Sequence, residues 1–166
     1  MSPLPTRILL ATDGSDSAAS AARAAAEISN KTGAELHAVY VEPTMLGREP
    51  SLTVIAGSLA PDASAEVYEQ ILQDILETLH AGVKQVEDAG GTVASAHFRV
   101  GKPADEIVAL GEELGADLLV VGSRKLGRVR RTVRGSVSDG ILRRAKVAIL
   151  VAPEEKRQSH RKGILW

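Results

Sequence analysis

Short apolar runs alternate with longer stretches of helical periodicity along the chain. Ile8-Leu9-Leu10-Ala11 is wholly apolar, the pattern of a strand buried on both faces. Thr12-Asp13-Gly14-Ser15-Asp16 interrupts it with turn and N-cap residues. From 17 to 30 an Ala-rich helix carries Ala18, Ala21, Ala22, Ala25 and Ile28 on one face, and Gly33 stops it. Such small side chains let a helix sit close to a sheet. Glu35 to Val41 predicts the second strand, and 43–62 a long loop punctuated by Pro43, Gly47, Pro50, Gly57 and Pro61. The clearest helix covers 63–89, where Val67, Ile71, Ile75, Leu79 and Val83 recur every fourth residue beside Leu72, Leu76 and Val86. Gly90-Gly91 ends it.

The alternation continues to the C-terminal region. Thr92 to Val100 predicts a third strand, and Pro103 sits where a helix begins and a missing N–H costs nothing. Ile107, Leu110 and Leu114 line that helix before Gly115. Asp117 to Val121 is the fourth strand, followed by a Gly- and Arg-rich loop over 122–135. A helix opening at Ser136 carries Val137, Ile141 and Leu142, and Val147 to Val151 is the fifth strand. Strictly alternating strands and helices imply right-handed crossovers and one parallel sheet covered on both faces. The expectation is a single-domain three-layer α/β/α fold with a five-stranded parallel sheet over 1–153, and a polar tail over 154–166. Ligands of such open sheets bind beyond the carboxyl ends of the strands, where the strand order reverses. The segments 11–16, 41–43 and 122–128 end up there.

Charge sharpens this picture. The formal net charge is only -1. It is unevenly spread: 1–121 carry 7 basic and 18 acidic side chains, 122–166 carry 13 basic and 3 acidic. Nine basic residues lie between 122 and 146, opposed only by Asp139. A basic segment in an acidic body points to an anionic partner. The absence of cysteine excludes disulfides and thiolate chemistry. Four aromatic residues, Tyr40, Tyr68, Phe98 and Trp166, are too few for base-stacking platforms, which disfavours a nucleic acid. No apolar run reaches the ~20 residues of a bilayer span. Met1 to Arg7 lacks the basic start and apolar core of a signal peptide, so a cytoplasmic protein is expected.

The candidate chemistry sits in the loops. Gly122-Ser123-Arg124-Lys125-Leu126-Gly127-Arg128 follows a buried strand, and Gly135-Ser136-Val137-Ser138 stands at a helix start. Glycines allow backbone N–H groups to approach an anion, and a helix N-terminus adds donors and a favourable dipole. No Gly-Lys-Ser/Thr completes a Walker A loop. Gly135-Ser136 also reads as a turn with an ordinary N-cap. The run Arg124, Lys125, Arg128, Arg130, Arg131, Arg134 reads either as a phosphate-holding cluster or as a solvated face. Asp13 reads either as an acceptor for ribose or adenine donors or as a turn carboxylate. His37, His80, His97 and His160 have no metal-ligand spacing and read as surface or sheet histidines. No Ser-His-Asp or paired-carboxylate constellation can be assembled, so no catalytic residue is assigned.

Taken in order, four segments resemble the universal stress protein family, an adenine-nucleotide-binding group with a Rossmann-like sheet. They are Ile8-Leu9-Leu10-Ala11-Thr12-Asp13-Gly14-Ser15, Val100-Gly101-Lys102-Pro103, Val120-Val121-Gly122-Ser123-Arg124 and Gly135-Ser136-Val137-Ser138. The resemblance covers residues 5–153. It implies an ATP-binding, homodimeric protein of stress response and signalling, with at most slow ATP hydrolysis and with Mg2+ held through the phosphates and not by side chains. The family's nucleotide binders space Gly, two residues, Gly, nine residues, then Gly-Ser or Gly-Thr. Gly122 and Gly135-Ser136 fit, whereas Lys125 stands at the middle glycine and Gly127 follows two residues later. Lys125 would either charge-pair with the phosphates or block them. By the same resemblance Asp13 contacts the ribose or adenine, Ala11 and Thr12 line the pocket, Val41 faces the adenine with its backbone and Val121 borders it. Ser136, Val137 and Ser138 close on the phosphates, and Gly122, Ser123, Arg124, Lys125, Gly127, Arg128 and Gly135 complete the nucleotide-binding set. Dimerisation through the strand Val147 to Val151 is implied as well.

Three other readings compete. The Lys125 departure suits a family member that binds no nucleotide and acts as a dimeric interaction module. Thr12-Asp13-Gly14-Ser15-Asp16-Ser17 loosely resembles the loop of ATP pyrophosphatases, short by one glycine. A nucleic-acid role for the basic segment predicts binding that falls steeply with salt.

Overall fold

The computed structural model describes residues 4–43, 65–123 and 137–153. Among the described residues there are five strands, β1 (Arg7–Ala11), β2 (Glu35–Pro43), β3 (Ser95–Gly101), β4 (Leu118–Gly122) and β5 (Ala148–Ala152). The same residues hold four α-helices, α1 (Ala19–Thr32), α2 (Ala65–Asp88), α3 (Pro103–Leu114) and α4 (Val137–Arg144). All strand pairs are parallel, in the order β3-β2-β1-β4-β5. The expected α/β/α architecture with a five-stranded parallel sheet is therefore present. The order reverses between β1 and β4, which places the switch point there.

Strand alternation sorts the core into two layers. Ile8, Leu10, Leu36, Leu118 and Val120 face Ala21, Ala22, Ala25 and Ala26 of α1 and Val86 of α2. Leu9, Val39, Val41, Leu119 and Val121 face Ile107 and Leu110 of α3 and Ile141 of α4. The four alanines of α1 are fully buried, as its small-residue face requires. On α3, Gly111 brings the backbone close to the sheet: a Cβ there would lie 3.0 Å from Leu119 Cδ2.

Element ends differ from the sequence reading by one to three residues. A short 3-10 turn, Asp16–Ala18, precedes α1, so the helix starts at Ala19 and not at 17. β3 begins at Ser95 and not at Thr92, because Gly91 packs on Ala26 and the chain joins the sheet only where Ala94 N–H donates to Leu36 O at 2.7 Å. Gly33 and Gly115 close α1 and α3 in the left-handed conformation, at φ 74° and 64°. On α2, Ile75 and Val86 are buried as the period predicts, but Leu72 and Leu76 are exposed. They lie to one side of the buried stripe that runs through Ile75, Gly82 and Val86.

Two histidines of the sheet prove to be neighbours. His37 on β2 and His97 on β3 bring their ring centroids to 5.7 Å, and His37 Nδ1 lies 2.8 Å from Ser95 Oγ. Burial, then the charges of His37 and Arg99, hold His97 below the usual histidine range. Both rings are sheet residues, and among the described residues no group of three His, Asp or Glu could hold a metal ion.

Candidate functional site

β1 and β4 pair as far as Leu10 and Val120. The residues just beyond, Ala11–Asp13 and Val121–Ser123, therefore leave the sheet side by side at the switch point. β2 flanks them, with Ala11 opposite Val39. Thr12 is buried, and its N–H continues the ladder to Val39 O at 2.9 Å. Val41 and Val121 are buried on the α3 and α4 side, Ala11 and Gly122 half-buried, and Ser123 exposed. Ser123 N–H donates to Ala152 O at 2.8 Å, tying the start of the β4 loop to the end of β5. Ser138 is buried and Val137 half-buried at the start of α4.

The loop after β1 is built from its own polar side chains. Gly14 N–H donates to Thr12 Oγ1 at 3.1 Å, and Ser15 N–H donates to Asp13 Oδ1 at 3.0 Å. The Ser15 hydroxyl also donates to Asp13 Oδ1. These are ST- and Asx-turn contacts, and they fix the half-buried Asp13 carboxylate where β1 ends. Gly14 has φ 69°, and a Cβ there would fall 2.7 Å from Thr78 O. Left-handed backbone and close approach together require glycine.

Acid surrounds this end of the sheet on the α2 side. An open concavity of about 480 Å³ is lined by Asp13, Gly14, Ser15, Asp74, Glu77, Thr78 and Ala81. Tyr40 on β2 donates its hydroxyl to Glu42. Burial first, then the Glu42 contact and the Asp13 charge, push its ionisation upward. These carboxylates make the α2 side of the concavity unfavourable for a polyanion.

The structure thus brings Ala11, Thr12, Asp13, Val121, Gly122 and Ser123 together, with Val41 on the adjoining strand. Arg124, Lys125, Gly127, Arg128, Gly135 and Ser136 lie outside the described residues. Sequence reasoning missed the part played by α2. Gly82 packs on Thr12, and Gln85 donates through Nε2 to Gly14 O at 3.2 Å and Ser15 O at 2.8 Å. A glycine inside the strongest helical pattern was the available signal, since such residues commonly mark a close approach.

Comparison with known proteins places this geometry. The family model described as the universal stress protein family matches residues 5–153. Universal stress protein Rv1636 of Mycobacterium tuberculosis is 34% identical over 145 residues, 87% of this chain and 93% of that protein. Universal stress protein MJ0531 of Methanocaldococcus jannaschii is 28% identical over 152 residues, 92% of this chain and 84% of that protein. A crystal structure of a universal stress protein in complex with cAMP superposes with a TM-score of 0.65 at 27% identity, covering 92% of this chain and 99% of that one. The hypothetical protein MJ0577 shares the fold, with a TM-score of 0.66 at 20% identity over 91% of this chain and 97% of that one. With the family model spanning all the strands and helices described above, the chain belongs to the universal stress protein family.

Proposed function

We propose that this protein binds an adenine nucleotide, ATP with Mg2+ carried on the phosphates, in a cytoplasmic stress-response or signalling role. The observation that carries the reading is the meeting of the Asp13 loop with Gly122 at the strand-order reversal. That is where open α/β sheets take their ligands. A relative of 27% identity was solved with cAMP, which supports an adenine nucleotide as the class. In this reading Asp13, Ala11, Thr12, Val41 and Val121 hold the nucleoside. Gly122, Ser123, Arg124, Lys125, Gly127, Arg128, Gly135, Ser136, Val137 and Ser138 take the phosphates.

Calorimetry with ATP plus Mg2+, and separately with cAMP, tests this. A micromolar Kd corresponds to about -8 kcal/mol. Ligand at 100 times Kd stabilises by about 2.7 kcal/mol, or roughly 5–10 °C in Tm. No heat and no shift with either nucleotide would overturn the reading. One observation favours a second reading, a nucleotide-free interaction module: Lys125 occupies the family's middle glycine position. Lys125→Gly separates the two. Binding that appears or tightens in the variant supports the module, and binding that weakens makes Lys125 a phosphate ligand.

Homodimerisation through β5 belongs to the same proposal. β5 pairs with β4 on one side and ends the sheet. Ile149, Leu150 and Val151 remain partly exposed, with Val147 and Leu142 exposed nearby. An apolar edge of this kind is an association surface unless covered. Sedimentation should give twice the chain mass, and Leu150→Lys should shift it toward monomer.

A further inference from the structure

We infer that Gln85 of α2 is a positioning residue for the Asp13 loop and thereby sets nucleotide affinity. This rests on the nucleotide reading above. The loop N–H groups at Thr12, Gly14 and Ser15 are satisfied by Val39 O, Thr12 Oγ1 and Asp13 Oδ1. All three partners belong to the loop or the sheet. The Gly14 and Ser15 carbonyls are different: Ser15 O accepts the Ala18 N–H at 2.9 Å, but both carbonyls also take a side-chain donor from 71 and 70 residues away. One amide group spans both carbonyls, at 3.2 and 2.8 Å. It fixes the loop against the helix at the residues that follow Asp13.

The orientation of the amide is determined. Turned over, Gln85 would set its oxygen against two carbonyl oxygens. In the orientation found, Oε1 is buried without a hydrogen-bond partner among the described residues. A buried unpaired acceptor is costly. Gln85 is held by its two donor contacts in spite of it. The neighbouring turns of α2 are fitted to the same loop, with Gly82 under Thr12 and Ala81 under Gly14. The loop is thus docked on α2 by shape at Gly82 and Ala81 and by hydrogen bonding at Gln85. A ligand that uses Asp13 meets a carboxylate already in place, which lowers the ordering cost of binding.

The test compares Gln85→Met, Gln85→Glu and Gln85→Lys. Met keeps the length and removes the donors. Glu keeps the shape and opposes the carbonyls with charge. Lys restores donors. Amide hydrogen exchange at Gly14 and Ser15, read without nucleotide, should accelerate at least about 10-fold in the Met and Glu variants, with the amides of β1 and β4 unchanged. Affinity for ATP with Mg2+ or for cAMP should fall about 10-fold in Met and further in Glu, and return to within about 3-fold of wild type in Lys. Unchanged exchange at Gly14 and Ser15 overturns the inference. So does faster exchange with undiminished affinity, or a Lys variant that behaves as Met does. Wild-type protein that binds neither nucleotide overturns the affinity claim together with the nucleotide reading, while the exchange data still decide whether Gln85 fixes the loop.

Discussion

Gly82→Val should destabilise the protein by about 3 kcal/mol, lowering Tm by roughly 6–12 °C. A Cβ at this position would lie 2.4 Å from Thr12 Cγ2 and 2.8 Å from Thr12 Oγ1. Neither atom can retreat easily. Thr12 is β-branched, only 6% exposed, and its hydroxyl accepts the Gly14 N–H. Helix propensity acts the other way, since replacing a mid-helix glycine by alanine gains about 1 kcal/mol. Overpacking a rigid contact costs about 1–3 kcal/mol. Gly82→Ala is therefore the sharper probe of sign, expected to destabilise by about 1 kcal/mol after the propensity gain is subtracted. Removing the obstacle should relieve it: Gly82→Ala in a Thr12→Ala background should cost less than it does alone. A higher Tm for Gly82→Ala in wild-type Thr12 would show that the helix and loop are not in this contact.

Gly82 also marks the limit of what the sequence discloses. The periodicity of 63–89 announces a helix, and a glycine within it looks like a local weakness. Only the fold places Thr12 against it. The same holds for Gln85, whose polar side chain is indistinguishable by pattern from the solvated residues of an amphipathic helix. Local signals were readable because they act locally. Gly33 and Gly115 stop helices through their own φ angles, and the alanines of α1 declare a close-packed face through their size. Strand order is non-local, and nothing in an apolar run such as Ile8-Leu9-Leu10-Ala11 says which strands flank it. The histidines illustrate the point. His37 and His97 lie 60 residues apart in sequence and look unrelated, and only the pairing of β2 with β3 brings the rings together. Leu72 and Leu76 fail in the opposite direction, since the helical pattern marks an apolar face without saying how wide a strip of it the fold covers.

The candidate site divides in the same way. Asp13, Thr12 and Gly122 stand at strand ends, where turn residues after an apolar run already point to the ligand edge of a parallel sheet. That they meet depends on β1 and β4 being neighbours, which follows from the reversal in strand order. The acidic surroundings were legible only as a total charge. The fold gathers Asp13, Asp74 and Glu77 around one concavity, so the acidic body of the chain becomes a directional field.

Asp13→Ala should weaken nucleotide binding by about 100-fold, and Asp13→Asn by about 10-fold. A hydrogen bond to a charged acceptor contributes about 1.5–3 kcal/mol, and 1.4 kcal/mol is one factor of ten in Kd. The two variants separate the roles of this side chain. Oδ1 accepts from both the Ser15 N–H and the Ser15 hydroxyl, so alanine removes the Asx turn as well as any ligand contact. Asparagine retains a carbonyl oxygen for the Ser15 N–H and removes the charge. A ribose hydroxyl or an adenine amino group donates, and a carboxylate is the stronger acceptor for either. An Asp13→Asn protein that binds as wild type, with only Asp13→Ala impaired, would make Asp13 a former of the turn and not a ligand contact. The graded loss, with Gly14 and Ser15 amide exchange unchanged in Asp13→Asn, is the result expected of a carboxylate that the loop presents to the nucleoside.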